Sequence, residues 1–67
     1  MINNKLSEIL GKKRIRMSEL QKMTGLSHTT IISLYYARSK NISFETIDKL
    51  CEALECNIQE LFEYIPN

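Results

Sequence analysis

One proline and two glycines are all that interrupt the 67 residues, and no linker, low-complexity stretch or internal repeat divides them. The length fits one domain, residues 1–67, with no room for a second. A chain this short buries only about 60% of the surface its unfolded form exposes, so a thin core and modest stability are expected. No run approaches the ~18 apolar residues of a membrane span, and no basic-then-apolar leader resembles a signal peptide. A cytoplasmic location is the expectation. Strand-like alternation is also missing, which points to an all-α fold. With a single histidine, His28, and two cysteines, Cys51 and Cys56, a structural zinc site has too few ligands. His28 has no partner for a nucleophilic dyad or triad either. No catalytic residue, metal or cofactor is expected, and no enzyme. The two cysteines read as buried, unreactive thiols, because a reducing compartment disfavours their disulfide.

What the chain does have is an ordinary globular composition, 43% hydrophobic and 25% charged, too apolar for disorder. Its net charge of +1 conceals a division. Residues 1–44 hold eight basic side chains against Glu8 and Glu19, a net of +6; residues 45–67 hold Lys49 against six carboxylates, a net of −5. If the fold keeps these halves apart, one face can meet phosphates while the other repels them. Two solvated helix faces would look the same in sequence.

Helical spacing runs throughout. Asn3 or Asn4 can cap a first helix whose apolar positions are Ile2, Leu6, Ile9 and Leu10, ended by the Lys12–Arg16 stretch. A short second helix, about 17–24, has Leu20 and Met23 as its apolar pair. Gly25 stops it, since glycine takes the left-handed conformation without a Cβ clash. Three later helix starts share one device. Ser27, Ser43 and Asn57 are N-caps, flanked by the apolar pairs Leu26 and Ile31, Ile42 and Ile47, and Cys56 and Leu61. These place helices at about 28–36, 44–55 and 58–63. The fourth presents an apolar stripe of Phe44, Ile47, Leu50, Cys51 and Leu54.

The functional signal lies in residues 17–36, a short helix, a three-residue turn through Gly25, and a second capped helix. Leu20, Ile31 and Leu34 are expected to pack where the two helices cross. That leaves His28, Thr29, Ile32, Ser33 and Tyr36 facing outwards, a surface without charge. Short hydroxyls and an imidazole can approach base edges in a major groove, and an apolar group can touch a thymine methyl. Tyr35 and Tyr36 as a stacking pair for single strands lack a sheet platform, and one of them is needed over the core. The basic stretch 12–16 is suited either to the helix dipole or to phosphates.

Residues 5–65 resemble the Cro and phage-repressor (Xre-type) helix-turn-helix family. The matching residues are Glu19-Leu20, Gly25-Leu26-Ser27, Ile31, Leu34 and the helix Asp48-Lys49-Leu50-Cys51-Glu52-Ala53-Leu54. The resemblance implies a five-helix repressor-like DNA-binding domain, with its helix-turn-helix at helices two and three and helix three in the major groove of double-stranded DNA. It puts Ser27, His28, Thr29 and Ser33 at base-reading positions, to which the outward face adds Ile32. The candidates for the DNA backbone are Lys12, Lys13, Arg16, Thr30, Tyr36, Arg38 and Lys40. The chain departs from the family at Met17, where glutamine is frequent, at Gln21, where a small alanine is usual, and at Tyr36-Ala37, where Asn-Gly is favoured. A left-handed alanine costs roughly 1 kcal/mol relative to glycine, so helix three either bears that cost or ends differently. A homodimer on a two-half-site operator is expected, with Phe62, Tyr64 and Ile65 as candidate contacts. The alternative function is an antitoxin-like or antirepressor-like protein-binding module anchored by Ile32 and Tyr36.

Overall fold

The computed structural model describes residues 1–66. In chain order it contains β1 (Ile2–Asn4), α1 (Leu6–Lys13), α2 (Met17–Thr24), α3 (His28–Tyr35), α4 (Phe44–Leu54), α5 (Ile58–Leu61) and β2 (Phe62–Tyr64). The five helices stand in the order the spacing predicts, and the differences lie at the chain ends. Ile2 belongs to a strand and is 65% exposed, where the apolar spacing put it on the first helix. The last helix stops at Leu61 because Phe62 turns extended, at φ −127° and ψ 147°. β1 and β2 then pair antiparallel, Ile2 opposite Tyr64 and Asn4 opposite Phe62. The pairing continues past both ends: Lys5 N–H donates to the Leu61 carbonyl (2.8 Å) and Ile65 N–H to that of Met1 (2.8 Å). Segments too short to fold alone thereby satisfy their backbone groups on each other.

Each helix contributes aliphatic side chains to one core: Leu6, Ile9 and Leu10 from α1, Leu20 from α2, Ile31 and Leu34 from α3, Leu50 and Leu54 from α4, and Leu61 from α5. No polar side chain is buried among the described residues. The stripe on α4 overshoots this core. Leu50 and Leu54 are buried, Ile47 is half-buried, and Phe44 at the helix start is 87% exposed. Phe44 is therefore no core residue, contrary to its place in the stripe. Met23 is exposed as well, leaving Leu20 as the one buried residue of α2.

Helix starts follow the N-cap reading. The Ser27 and Ser43 hydroxyls accept from the N–H groups of Thr30 (3.2 Å) and Thr46 (3.1 Å). The Glu60 carboxylate accepts from Asn57 N–H (3.2 Å), the reciprocal half of a capping box. The flanking residues Leu26, Ile42 and Cys56 pack against the core. Asn4 Oδ1 accepts from Leu6 N–H (2.8 Å) at the start of α1.

Helix ends are less expected. Three non-glycine residues, Arg14, Ala37 and Glu55, take left-handed conformations with φ between 51° and 56°. After α3, Ala37 N–H donates to the Leu34 carbonyl (3.1 Å) and Arg38 N–H to that of Ser33 (2.8 Å), a Schellman ending. Helix three thus ends at Tyr35 and bears the cost at Ala37. Gly11 holds the opposite mismatch, a glycine inside α1 where an added Cβ would meet nothing within 4 Å. Restoring the preferred residue at both places should stabilise the fold. Ala37→Gly is expected to add about 0.5 kcal/mol, the relief of the left-handed alanine offset in part by a looser unfolded chain. Gly11→Ala is expected to add about 0.5–1 kcal/mol. Urea titration of the double variant checks both; a midpoint at or below the parent's would contradict the assignment of these helix ends.

Candidate nucleic-acid interface

The link between α2 and α3 is held by three residues with different tasks. Gly25, at φ 73°, reverses the chain in a conformation that penalises any Cβ. The Thr24 hydroxyl donates to the Leu20 carbonyl (2.8 Å) and accepts from Leu26 N–H (3.2 Å), bridging the last turn of α2 to the linker. Ser27 then caps α3. Thr24 was not singled out in the sequence, although a threonine at a helix end beside glycine is a residue able to bond its own backbone. Beneath the turn, Leu20 and Ile31 are fully buried and Leu34 nearly so, which fixes the angle between the helices. From the other side, the Asn4 amide donates to the Leu34 carbonyl (2.8 Å), fastening the end of α3 to β1.

With Ile31 and Leu34 inside, the first turn of α3 presents His28 and Thr29 to solvent, both exposed. Ile32 and Ser33 are half-buried and Tyr36 is exposed. Ser27 and Thr30 are tied together: their hydroxyls lie 2.8 Å apart while the Ser27 oxygen also accepts from the Thr30 backbone. Capping thus occupies much of the Ser27 hydroxyl's capacity. Thr29, Thr30 and Ser33 line a hollow completed by Ser39, Ile42 and Thr46, so the hydroxyl-bearing side of α3 continues into the α3–α4 loop and the start of α4. Ser39 and Thr46 belong to this surface without having been read from the sequence. Thr46 follows Ser43 at the same spacing as Thr30 follows Ser27, and that repetition is the signal that could have found it.

The basic groups divide into sets. Arg14 and Arg16 line a groove with Met17 and Tyr35, beside the last turn of α3. The Arg38 guanidinium sits over the Tyr36 ring, 5.3 Å from its centre, while Tyr35 and Tyr36 meet edge to face at 5.0 Å. Lys40 lies in the α3–α4 loop, exposed. Lys12 and Lys13 line another groove, with Lys5, Cys56 and Glu60. The sequence treated 12–16 as one basic run; the left-handed turn at Arg14 splits it, and only its second part adjoins α3. Two departures from the family pattern resolve locally. Met17 is half-buried against the core, and Gln21 is half-buried on α2.

The acidic half is carried by α4, α5 and β2. Its one ion pair among the described residues joins Lys49 to Glu45 (3.2 Å), one helical turn apart. Phe62 is half-buried, while Tyr64 and Ile65 are 66% and 39% exposed at the β2 end of the chain. Among the described residues no three His, Cys, Asp or Glu side chains gather to hold a metal ion. No helix there is long and apolar enough to cross a membrane.

Known proteins resemble this chain over most of its length. The HTH-type transcriptional regulator YozG of Bacillus subtilis (strain 168) is 29% identical over 56 residues, covering 84% of this chain and 67% of that protein. The SPbeta prophage-derived HTH-type transcriptional regulator YopS of the same organism is 27% identical over 59 residues, covering 88% of this chain and 80% of its own length. The Cro/C1-type HTH DNA-binding domain matches residues 5–67, nearly the whole chain. That match spans the turn built by Thr24, Gly25 and Ser27 and the uncharged helix that follows it, and the chain belongs to the Cro/C1-type helix-turn-helix DNA-binding family.

Proposed function

We propose that this DNA-binding regulator of transcription recognises a specific duplex operator by laying α3 in the major groove. One observation carries the reading: the exposed first turn of α3 presents uncharged hydrogen-bonding groups, His28 and Thr29, with arginines at the helix's far end. Short polar groups read base edges, and flanking cations hold the phosphates. His28, Thr29 and Ser33 are the principal base readers, with Ile32 available to a thymine methyl and Ser27 limited by its capping bonds. Arg16, Arg38, Lys40, Thr30 and Tyr36 face the backbone. Lys12 and Lys13, grouped with Glu60, take a lesser share of phosphate contact. Occupancy of the operator blocks transcription, which makes the chain a repressor.

The functional unit is a homodimer, because one such domain buries too little for tight specific binding and two half-sites double the contacts. Phe62, Tyr64 and Ile65 form its contact. Of these, Phe62 lines an apolar groove of about 570 Å³ with Ile2, Ile42, Ile47 and Ile58, and Tyr64 and Ile65 are exposed apolar residues that follow it in the chain. Sedimentation of Tyr64→Asp tests the contact. The expected result is a dimeric parent and a monomeric variant; an unchanged profile for a dimeric parent would remove these residues from the interface.

Selection from a random duplex library, followed by anisotropy titration of the winner at two salt concentrations, tests the function. A palindrome bound about 10³-fold or more above scrambled duplex is expected, with affinity falling as salt rises. Equal weak binding to every duplex would mean that α3 reads no bases, and would shift the reading to a protein-binding module using Ile32 and Tyr36.

A further inference from the structure

The end of α4 places its two cysteines in a defined relation. Glu55 takes the left-handed conformation, and Cys56 N–H donates to the Cys51 carbonyl (3.1 Å). This is a Schellman ending in which Cys51 and Cys56 occupy the two positions whose side chains meet across the turn. In most helices that contact is a hydrophobic pair; here it is a pair of thiols. Both are half-buried and free, and both pack at the edge of the core. Burial first, and then the neighbouring Cys51, push the pKa of the Cys56 thiol above its ordinary value, Glu60 adding to this and Lys13 opposing it. A disulfide needs Cα atoms about 4.4–6.8 Å apart, and the direct backbone hydrogen bond between Cys56 and Cys51 keeps the two residues close.

The surroundings of the two sulfurs differ. Cys56 lines an open groove with Lys5, Lys12 and Lys13 on its walls and Glu60 at one side, whereas Cys51 does not line it. A groove bordered by three lysines and one glutamate suits a small reactant bearing carboxylates.

We propose that Cys51 and Cys56 are a dithiol modification site that forms an intramolecular disulfide by exchange with anionic low-molecular-weight disulfides of the glutathione type. The Cys56 thiolate attacks one sulfur of the small disulfide, whose S–S bond breaks and releases one small thiol. The Cys51 thiolate then attacks the Cys56 sulfur of the mixed disulfide and releases the second. Two protein thiols are oxidised, one small disulfide is reduced to two thiols, and no further oxidant is needed. The raised pKa of Cys56 lowers its thiolate fraction and so slows the first exchange step at neutral pH. The bridge crosses the turn between α4 and α5, and so pins the segment that leads into β2.

The test treats the intact chain with excess oxidised glutathione and follows intact mass under non-reducing conditions. The expected product is a single chain with no covalent link to a second, lighter by two hydrogen atoms, silent to maleimide and restored by dithiothreitol. Cys51→Ser is expected to stop at a stable adduct carrying one glutathionyl group, and Cys56→Ser to react at least about tenfold more slowly than Cys51→Ser, since its remaining thiol lies off the groove. Repeating the parent reaction in urea separates the fold's contribution from mere sequence proximity, with ring closure expected to be about tenfold less favourable there. A persistent mixed disulfide or a chain-to-chain disulfide in the parent would overturn the proposal, as would ring closure equally favourable in urea. Cystamine, which is cationic, should react more slowly than oxidised glutathione at low salt; equal rates would overturn the role of the lysines.

Discussion

Leu20→Ala is expected to remove about 3–4 kcal/mol of stability and leave the chain largely unfolded on modest heating. Leu20 is fully buried and is the one buried residue of α2, so its truncation both opens a cavity and uncouples that helix from the core. Native domains hold roughly 0.05–0.15 kcal/mol per residue, which for a chain of this length is about 3–10 kcal/mol in all, and a thin core belongs near the lower end. A melting temperature lowered by about 15–25 °C follows from the size scaling of unfolding entropy. Phe44→Ala supplies the contrast. Its side chain is as large, yet it is 87% exposed, so the change should stay within about 0.5 kcal/mol. Circular dichroism in urea measures both. If the two substitutions cost the same, the division of apolar residues between core and surface given above is wrong.

That division is where sequence reading went furthest and where it stopped. Leu6, Ile9 and Leu10, Ile31 and Leu34, and Leu50 and Leu54 were legible as core because positions three or four apart share a helix face. Periodicity gives the face of a helix but not how far the neighbouring elements extend along it. Phe44 and Met23 lie at helix ends, where the packed partners run out, and no count of spacing reveals that. The strands were invisible for another reason. Three residues cannot display an alternation, and the pairing of Ile2 with Tyr64 joins opposite ends of the chain, so neither segment contains the signal alone.

The candidate interface was legible in part. Gly25, Ser27 and the uncharged face of α3 could be read because turn chemistry is local. The grouping of cations was not, because the left-handed residue that splits the basic run is an arginine. Arg14 carries no glycine-like signature, so Lys12 and Lys13 looked continuous with Arg16 when they line a different groove. Ala37 posed the same difficulty after α3, with two ways to end a helix and only three-dimensional packing to choose between them. The Cys51–Cys56 contact was hidden for the same reason, since it depends on Glu55 adopting that conformation.

The second large effect is expected on recognition itself. The double variant His28→Ala, Thr29→Ala should lose at least about 10³-fold in affinity for the selected operator while binding scrambled duplex as before. Each base contact is worth about 1–3 kcal/mol. Two lost contacts in each of two protomers therefore amount to about 4 kcal/mol even at the lower bound, and about 1.4 kcal/mol is a factor of ten. Both residues are exposed and make no core contact, so the fold should survive and a melting curve should match the parent's. Arg16→Ala and Arg38→Ala should behave in the opposite manner. Each removes a cation beside α3, which lowers affinity for all duplexes alike and reduces the salt dependence by about one phosphate per protomer. The comparison separates reading from holding. If the alanines at 28 and 29 weaken operator and scrambled duplex equally, the first turn of α3 holds the backbone and the sequence is read elsewhere on the domain. If instead the arginine variants lose discrimination, they stand at base edges, and α3 enters the groove by its other end.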